Sequence, residues 1–570
     1  MSKNLSQIKR KNLIDKIGKL KAFLEAQNAT PEMRSYLTEL ESELKRQKFG
    51  LVFEEHREEI DEILETHTPI LTEDKSLFIN NGGQMNFLIE GDNLAALKLL
   101  EKTHKGKIDV IYIDPPYNTG AKDWKYDNNY VDSNDLFKHS KWLSFMKPRL
   151  EIAKTLMKEN AVLICTIDKY EVRQVGMLLD ELFADRETTL ITIVHNPSGT
   201  QGKNFSHNNE YAYFVYRGER KSINPEKRDD EDADVRSFMN GAKGKGDNYK
   251  RESGVTCFYP IFVKDMQVIG FGDVCEKSFH PTGTNVTRQD GIMEIYPIDN
   301  DGVERKWLFG RNSVGEVKDE LSVKFNKKRN IYEIIRVKKL INYKTVWDNP
   351  KYNAKTYGTQ LLNNLIDIDF PFPKSLYAVM DCIKACVHNK HNSIILDFFA
   401  GSGTTGHAVM KLNNNDGGTR RFILCTNNDN GHKICREITY ERIKTVITGK
   451  RKDGTKYSDG LPASLKYQRV DFLATAEQVY YDYAHELLKH IKELVELENA
   501  INFDGNTKLD ILLTEDEVEK FLGKVAKLQT VRTIYLGHDV ALTFEQQKVL
   551  TDNGIIVNVI PEYYYKEGQL

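Results

Sequence analysis

Apolar positions recur at three- and four-residue steps near the start of the chain. Leu13, Ile17, Leu20 and Leu24 form one such stripe, and the stretch from Tyr36 to Arg46 reads likewise. That spacing lays one apolar face along a helix and predicts a helical lead-in over residues 1–75, either a packing or dimer element or a cap on the domain that follows. The pattern changes at Phe87. Phe87-Leu88-Ile89 is a short strand-like run ending in Glu90-Gly91-Asp92, and Leu94 to Leu100 reads as helix. Ile108 to Ile113 is β-branched and almost continuously apolar, as in a strand covered on both faces. It stops abruptly at Asp114-Pro115-Pro116-Tyr117. Trp142 to Met157 predicts a long amphipathic helix with a kink at Pro148. Ala161 to Ile167 and Leu190 to Val194 predict strands.

Between Asn196 and Tyr352 the rhythm is lost. That stretch is rich in Gly, Asn and Lys, with short mixed strands such as Gly291 to Pro297 and Asn330 to Val337. Alternation resumes near Tyr377: a strand at Ser393 to Leu396, a Gly-rich turn, a helix through Met410 and a strand at Arg421 to Cys425. Strands alternating with helices predict an α/β fold with a largely parallel sheet, here interrupted by a large insertion. The last ~120 residues read as a separate mixed module, since domains run to roughly 150 residues.

Composition narrows the class. At 570 residues the chain exceeds one compact core, and 40% hydrophobic with 29% charged residues is a globular balance. No apolar run approaches the ~20 residues of a membrane helix. Met1 to Arg10 is polar and basic with no apolar stretch behind it, so a cytoplasmic location is expected. Seven scattered cysteines, with no C-x-x-C pair, argue against a disulfide framework or structural zinc. Net charge is −2, but it is unevenly spread. His195 to Lys355 holds 28 Lys/Arg against 23 Asp/Glu, whereas Asp471 to Leu570 holds 9 against 18. The first imbalance suits a polyanion partner.

Two motifs carry candidate chemistry. Gly401, Gly403 and Gly406 stand in a G-x-G-x-x-G turn between a strand and a helix, where glycines permit a tight bend and close approach of a ligand. Alone, the turn fits any nucleoside-containing cofactor. A nicotinamide site would want an acid at the end of the next strand, but there the chain reads Cys425-Thr426-Asn427-Asn428 before Asp429. Asp397 and Phe399 suit a nucleoside held by hydrogen bonds and stacking. In the second motif, Asp114-Pro115-Pro116-Tyr117, two prolines end the strand and stiffen the bend. A carboxylate, backbone carbonyls and an aromatic face are thereby held at the sheet's C-terminal edge. That set suits a planar base bearing an exocyclic amine: the acceptors take its hydrogens, the ring stacks on Tyr117, and positive charge is favoured on the nitrogen.

Asp114-Pro115-Pro116-Tyr117 resembles the catalytic motif of amino-group DNA methyltransferases, and Asp397-x-Phe399-x-Gly401-x-Gly403 resembles their S-adenosylmethionine motif. The order of catalytic motif, insertion and cofactor motif is similar to the β group of these enzymes. Gly91-Asp92-Asn93, Phe370-Pro371-Phe372-Pro373-Lys374-Ser375 and the Asn196 to Tyr211 stretch, like the segment that closes on the target base, extend the resemblance over roughly Asn80 to Ile443. In length, helical lead-in and acidic tail the chain is most similar to the modification (Mod) subunit of type III restriction–modification systems.

The resemblance implies a Rossmann-like, doubly wound methyltransferase sheet interrupted by a target-recognition domain. The expected organisation is a helical region at 1–75, the catalytic half at 76–195, a DNA-binding insertion at 196–352, the cofactor half at 353–450 and an acidic C-terminal domain at 451–570. It implies transfer to N6 of a flipped adenine in double-stranded DNA, with Asp114, Pro115, Pro116 and Tyr117 catalytic and no metal. S-adenosylmethionine would be held by Asp397, Phe399, Gly401, Gly403, Thr404, Lys374, Ser375 and Asp92, with Asp429 as a ribose candidate. Phosphate contacts would come from Lys243, Lys245, Lys250, Arg251, Lys327, Lys328 and Arg329, with Lys338-Lys339 a further basic pair. A homodimer and a restriction (Res) helicase-nuclease partner are expected; the chain has no Gly-Lys-Ser/Thr phosphate loop of its own. N4-cytosine transfer and an orphan methylase remain as alternatives. C5-cytosine chemistry needs a cysteine nucleophile, and its usual Pro-Cys setting does not occur.

Overall fold

The computed structural model describes residues 5–26, 30–45, 53–126, 129–132, 134–219, 221–227, 234–241, 247–368, 370–387, 389–428, 433–474, 487, 490–525, 530–561 and 564. Two compact units emerge. One comprises 1–222, 346–383 and 390–570, and the other 223–345 with 384–389.

The first unit is built on an eleven-stranded sheet. In chain order its strands are β1 (His67–Glu73), β2 (Ile79–Asn80), β3 (Gln84–Glu90), β4 (Ile108–Ile113), β5 (Met157–Ile167), β6 (Glu187–Val194), β7 (Asn209–Tyr216), β8 (Val346–Trp347), β9 (Ile394–Asp397), β10 (Arg421–Thr426) and β11 (Ala463–Ala474). Across the sheet they run β1-β11-β3-β10-β9-β4-β5-β7-β6-β8, with β2 on β11. Neighbours from β11 to β5 are parallel. β7 is antiparallel to both β5 and β6. All six residues of β4 are buried, which accounts for its continuous apolar run.

β9 and β4 lie side by side, with Ile395 opposite Val110 and Leu396 opposite Ile111. The chain continues from β9 to β10 on one side and from β4 to β5 on the other. This is a topological switch point, where loops leaving the strand ends diverge and open a crevice. Asp109 helps fix the register: its Oδ2 accepts from Ile394 N (3.0 Å) and from Lys158 Nζ (2.7 Å).

Helix α1 (Asn93–His104) is capped by Asp92, whose Oδ1 accepts from Leu94 N at 2.7 Å and Ala95 N at 3.2 Å. Helix α2 (Lys138–Leu156) continues through Pro148 as one helix and buries Trp142, Leu143, Met146, Leu150, Ala153 and Leu156. The N-terminal stripes form the helices Leu5–Ala26 and Pro31–Lys45, joined by a Lys21–Glu41 ion pair of 2.5 Å.

Both expected boundaries of the insertion move inward. β7 lies at 209–216, inside the expected 196–352, but belongs to the central sheet between β5 and β6. The compact inserted unit therefore starts at Ile223. It has its own core, in which Phe238 stacks on Trp307 at 5.6 Å, with Tyr259, Ile261, Val263 and Ile295 around them. Two antiparallel sheets frame it, one of Asp234–Ser237, Ile331–Lys338 and Leu321–Asn326, the other of Gln267–Phe271, Ile261–Lys264, Met293–Ile295 and Asn285–Thr287.

At the C-terminal end, β11 also joins the central sheet, so the small C-terminal module follows residue 474. It is a three-stranded parallel sheet of Leu509–Leu512, Thr533–Leu536 and Ile556–Val559. Helices Glu515–Leu522 and Phe544–Asp552 make its crossovers, each opened by a capping box: Thr514 with Glu517, and Thr543 with Gln546. Among the described residues no helix is long and apolar enough to cross a membrane.

Candidate active site at the β4–β9 crevice

Asp114 follows β4 and Asp397 ends β9. The two motifs, 283 residues apart in sequence, therefore leave the same edge of the sheet from adjacent parallel strands. The Asp114 charge acts on the Asp397 carboxyl across the crevice.

On the catalytic side, Asp114 Oδ1 accepts from Thr166 Oγ1 at 2.7 Å and from Tyr117 Oη at 2.9 Å. The Lys374 ammonium lies 3.2 Å from the same oxygen. All of these partners converge on Oδ1, and the side chain keeps 26% of its surface exposed. Oδ2 is thus the oxygen available to an incoming donor. Trp142 Nε1 donates to the Pro116 carbonyl at 2.7 Å and pins the bend to α2. Tyr117 Oη also lies 3.2 Å from Glu210 Oε2, a second acceptor for the same single proton, and the Lys374 ammonium sits 4.6 Å over its ring.

Lys374 was expected beside the cofactor. Its Nζ lies in the cluster around Asp114, hydrogen-bonded to Tyr117 Oη and Glu210 Oε2 and ion-paired with Asp114. Burial opposes the Lys374 charge, but the two carboxylates outweigh it and raise its pKa. Burial would raise the Glu210 carboxyl, yet Lys374 holds it below its ordinary value. For Asp114 burial dominates and raises the carboxyl, with Lys374 opposing.

On the cofactor side, Gly401 (φ +46°) and Gly403 (φ +75°) adopt left-handed backbone. A Cβ on Gly403 would meet Thr439 Cγ2 at 3.1 Å, so the turn requires glycine for both conformation and space. Gly406 has ordinary backbone and lets its helix approach Ile443 and Leu424 closely. Asp397 is buried and braces the turn: Phe399 N donates to Oδ1 at 3.0 Å and Thr405 Oγ1 to Oδ2 at 2.6 Å. Burial pushes its carboxyl up to about 7. The half-buried Phe399 ring packs at 5.7 Å from Phe145 and 5.3 Å from Phe398. Thr404 Oγ1 accepts from Arg442 at 2.7 Å, and Ser375 Oγ donates to the Lys351 carbonyl at 2.7 Å. Both hydroxyls are committed inside the fold. Asp429 lies outside the described residues.

Asp92 joins a network that motif reading did not anticipate. Arg149 on α2 is fully buried. It donates to Asn93 Oδ1 (2.5 Å), to Glu58 Oε1 (2.6 Å) and, more weakly, to Asp92 Oδ2 (3.5 Å). Asn93 Nδ2 in turn donates to the Phe398 carbonyl at 2.9 Å. The network ties the Asp92 turn to the β9 turn. Glycines with positive φ, an aromatic wall and a capping carboxylate together fit a nucleoside-bearing cofactor.

In the inserted unit, Arg251 cannot serve as a phosphate contact. It is 5% exposed, donates to Glu304 Oε2 (2.8 Å) and to the carbonyls of Phe279, Cys275 and Glu276, and lies over the Phe258 ring. Lys327 and Lys328 are exposed. Lys250 pairs with Asp247 and Arg329 with Glu333, each at 2.9 Å. Lys243 and Lys245 lie outside the described residues.

Sequence reading passed over Thr166, Arg149 and Glu58, which carry no motif. Glu210 falls within the Asn196 to Tyr211 stretch, which carries no more than a resemblance to the segment that closes on the target base.

The family described as DNA methylase (N6_N4_Mtase) matches residues 108–447, more than half of the chain. The chain is 30% identical over 404 residues to the type II methyltransferase M.KpnI of Klebsiella pneumoniae, covering 67% of this chain and 90% of that protein. It is 29% identical over 422 residues to the type III restriction–modification enzyme EcoPI Mod subunit of Escherichia phage P1, covering 64% and 63%. It is 27% identical over 411 residues to the StyLTI Mod subunit of Salmonella typhimurium, covering 64% and 57%. The chain thus spans less than two thirds of the length of these two Mod subunits. With both motifs meeting at one crevice and the family match running from β4 to α-helical residues beyond β10, the chain belongs to the DNA methylase family and is a DNA methyltransferase.

Proposed function

We propose that this methyltransferase uses S-adenosylmethionine to methylate the exocyclic N6 of an adenine flipped out of double-stranded DNA. The observation that carries the reading is the Asp114 carboxylate, saturated on Oδ1 and open at Oδ2, facing the glycine turn from an adjacent strand. When bound, the cofactor supplies a methyl group on sulfonium, so that transfer forms an N–C bond, leaves the C–S electron pair on sulfur and frees one proton from the amine.

The chain's residues position and polarise. Asp114 Oδ2 accepts one amine hydrogen and the Pro115 carbonyl the other. This orients the nitrogen lone pair and favours the positive charge that grows on it. Tyr117 offers its ring as a stacking face. Gly401, Gly403 and Phe399 cradle the cofactor, Asp397 braces that cradle, and Asp92 stands toward the cofactor's base. The base must leave the duplex because its amine is otherwise paired.

The Mod subunits among the relatives support a place in a restriction–modification system, as the modification and specificity subunit beside a separate Res helicase-nuclease and as a homodimer. In the inserted unit the exposed Lys327 and Lys328, with Lys250, Arg329 and the Lys243/Lys245 loop, are the proposed phosphate contacts.

The test is labelled-methyl incorporation into unmethylated plasmid, followed by nucleoside analysis. N6-methyladenine is expected; N4-methylcytosine would replace the adenine reading. Asp114→Ala is expected to abolish incorporation while cofactor binding by calorimetry persists. Near wild-type incorporation in that variant would remove Asp114 from the chemistry.

A further inference from the structure

Transfer to a neutral amine is favoured by a carboxylate that stays ionised while charge builds on nitrogen, yet Asp114 sits where burial favours the neutral acid. The groups that resolve this conflict come from two other parts of the chain. Lys374 precedes helix Leu376–Val387, and Glu210 lies on β7. Glu210 is 6% exposed, and its Oε2 accepts from the Lys374 ammonium, with the Tyr117 hydroxyl 3.2 Å away. Lys374 is thereby held against Asp114 Oδ1 and over the Tyr117 ring.

We propose that Lys374 and Glu210 form a positioning pair for methyl transfer, in which Glu210 anchors the Lys374 ammonium so that it saturates Asp114 Oδ1 and turns Oδ2 toward the target amine. The inference rests on the reading of Asp114 as the amine acceptor.

Charge arithmetic explains why both members are needed. Asp114, Glu210 and Lys374 together carry −1, which favours a cationic nitrogen while leaving Asp114 ionised. Without Lys374, two carboxylates would face each other in a buried site, and one would take up a proton at neutral pH. A protonated Asp114 would be a donor where an acceptor is needed. Without the Glu210 charge, the cluster would be neutral and the ammonium would lose the anchor that aims it. The same ammonium clamps Tyr117, so the stacking face and the acceptor move together. Among the described residues, the other titratable groups that interact with the cluster include Tyr112, beside Tyr117, His195, beside Glu210 and Lys374, and Cys165 and Asp397, both of which feel the Asp114 charge.

The experiment measures kcat, KM for DNA, cofactor affinity and the pH profile of kcat on the full chain carrying Glu210→Gln, Lys374→Met or Lys374→Arg. Asp114→Asn is run in parallel, and thermal melting checks the fold. Glu210→Gln is expected to lower kcat about 100-fold, the usual cost of misaimed catalytic geometry, with KM and cofactor affinity within about two-fold of wild type. Lys374→Met is expected to move the acid limb of the kcat profile upward by about one pH unit, and Lys374→Arg to restore part of the loss. Wild-type kcat and pH profile in Glu210→Gln would overturn the pair. So would weakened cofactor binding with an unmoved acid limb in Lys374→Met, which would return Lys374 to the cofactor cradle. If Asp114→Asn keeps wild-type activity, the acceptor reading itself falls. If Asp114→Asn is inactive while Glu210→Gln is unaffected, only the pair falls.

Discussion

Thr166 Oγ1 lies 2.7 Å from Asp114 Oδ1 and 3.1 Å from the Ile113 carbonyl, and its single proton goes to the nearer, charged acceptor, so a strand residue on β5 sets the rotamer of the carboxylate that follows β4. Thr166→Val keeps the shape and removes the donor. One hydrogen bond to a charged acceptor contributes about 1.5 kcal/mol or more, so kcat should fall about ten-fold with cofactor affinity unchanged. Thr166→Ser should retain most of the activity in the same methyl-incorporation assay.

Gly403 and Gly417 both have left-handed backbone, but they differ in surroundings. A Cβ on Gly403 meets Thr439 at 3.1 Å, whereas one on Gly417 meets nothing within 4 Å. Alanine at either position should cost about 1–2 kcal/mol of conformational strain, seen as a lower melting temperature. Only Gly403→Ala should also weaken S-adenosylmethionine binding by calorimetry, because only that turn forms the proposed cradle.

Glu171 is fully buried. Its Oε1 accepts from Asn118 Nδ2 at 2.6 Å and lies 2.8 Å from His139 Nδ1, and among the described residues its Oε2 has no hydrogen-bond partner. Burial raises its carboxyl to about 8, with the Asn118 bond opposing. Because the folded value lies above the ordinary 4.5, the stability it contributes is complete below pH 4.5 and is lost as pH rises toward 8. Glu171→Gln should therefore gain on wild type across that window, by on the order of 3 kcal/mol at its alkaline end. Urea unfolding at pH 5 and pH 8.5 measures the difference; equal gaps at both would reject it.

Lys466 on β11 is fully buried between Glu73 (3.1 Å) and Glu496 (2.5 Å), joining β1 and helix Ile491–Asn499 to the sheet edge. Removing its charge leaves two desolvated carboxylates without a counter-ion. Lys466→Met should cost about 3–5 kcal/mol in chemical denaturation, and adding Glu496→Gln should recover part of that loss.

In the inserted unit, Lys327→Ala with Lys328→Ala should reduce the salt dependence of DNA binding by about two phosphate contacts, with melting unchanged. Arg251→Ala should lower the melting temperature instead, because its guanidinium holds Glu304 and three backbone carbonyls. Fluorescence anisotropy across a salt series separates the two outcomes.

Local signals were read well where a backbone constraint wrote them. The run from Ile108 to Ile113 became β4 at its expected bounds, and Pro115-Pro116 ended it there. The glycine turn follows β9, with Gly401 and Gly403 in left-handed backbone. Boundaries that depend on distant pairing were misjudged. β7 and β11 lie in stretches that looked irregular or C-terminal, and only their partners β5, β6, β3 and β1 draw them into the sheet. Pro148, expected to bend α2, lies inside one continuous helix with one side buried in the core.

By itself the amino-acid order marked out the candidate residues: a proline-stiffened carboxylate and aromatic, a glycine turn, and a basic stretch between them. Each is a property of a few adjacent residues, set by dihedral freedom, hydrogen-bonding groups and charge. Tertiary structure alone decided the company Asp114 keeps. Glu210 and Lys374 stand far from it along the chain, and their charges act only at the short range to which folding brings them. The same distance dependence turned Arg251 from a candidate surface cation into an internal strut.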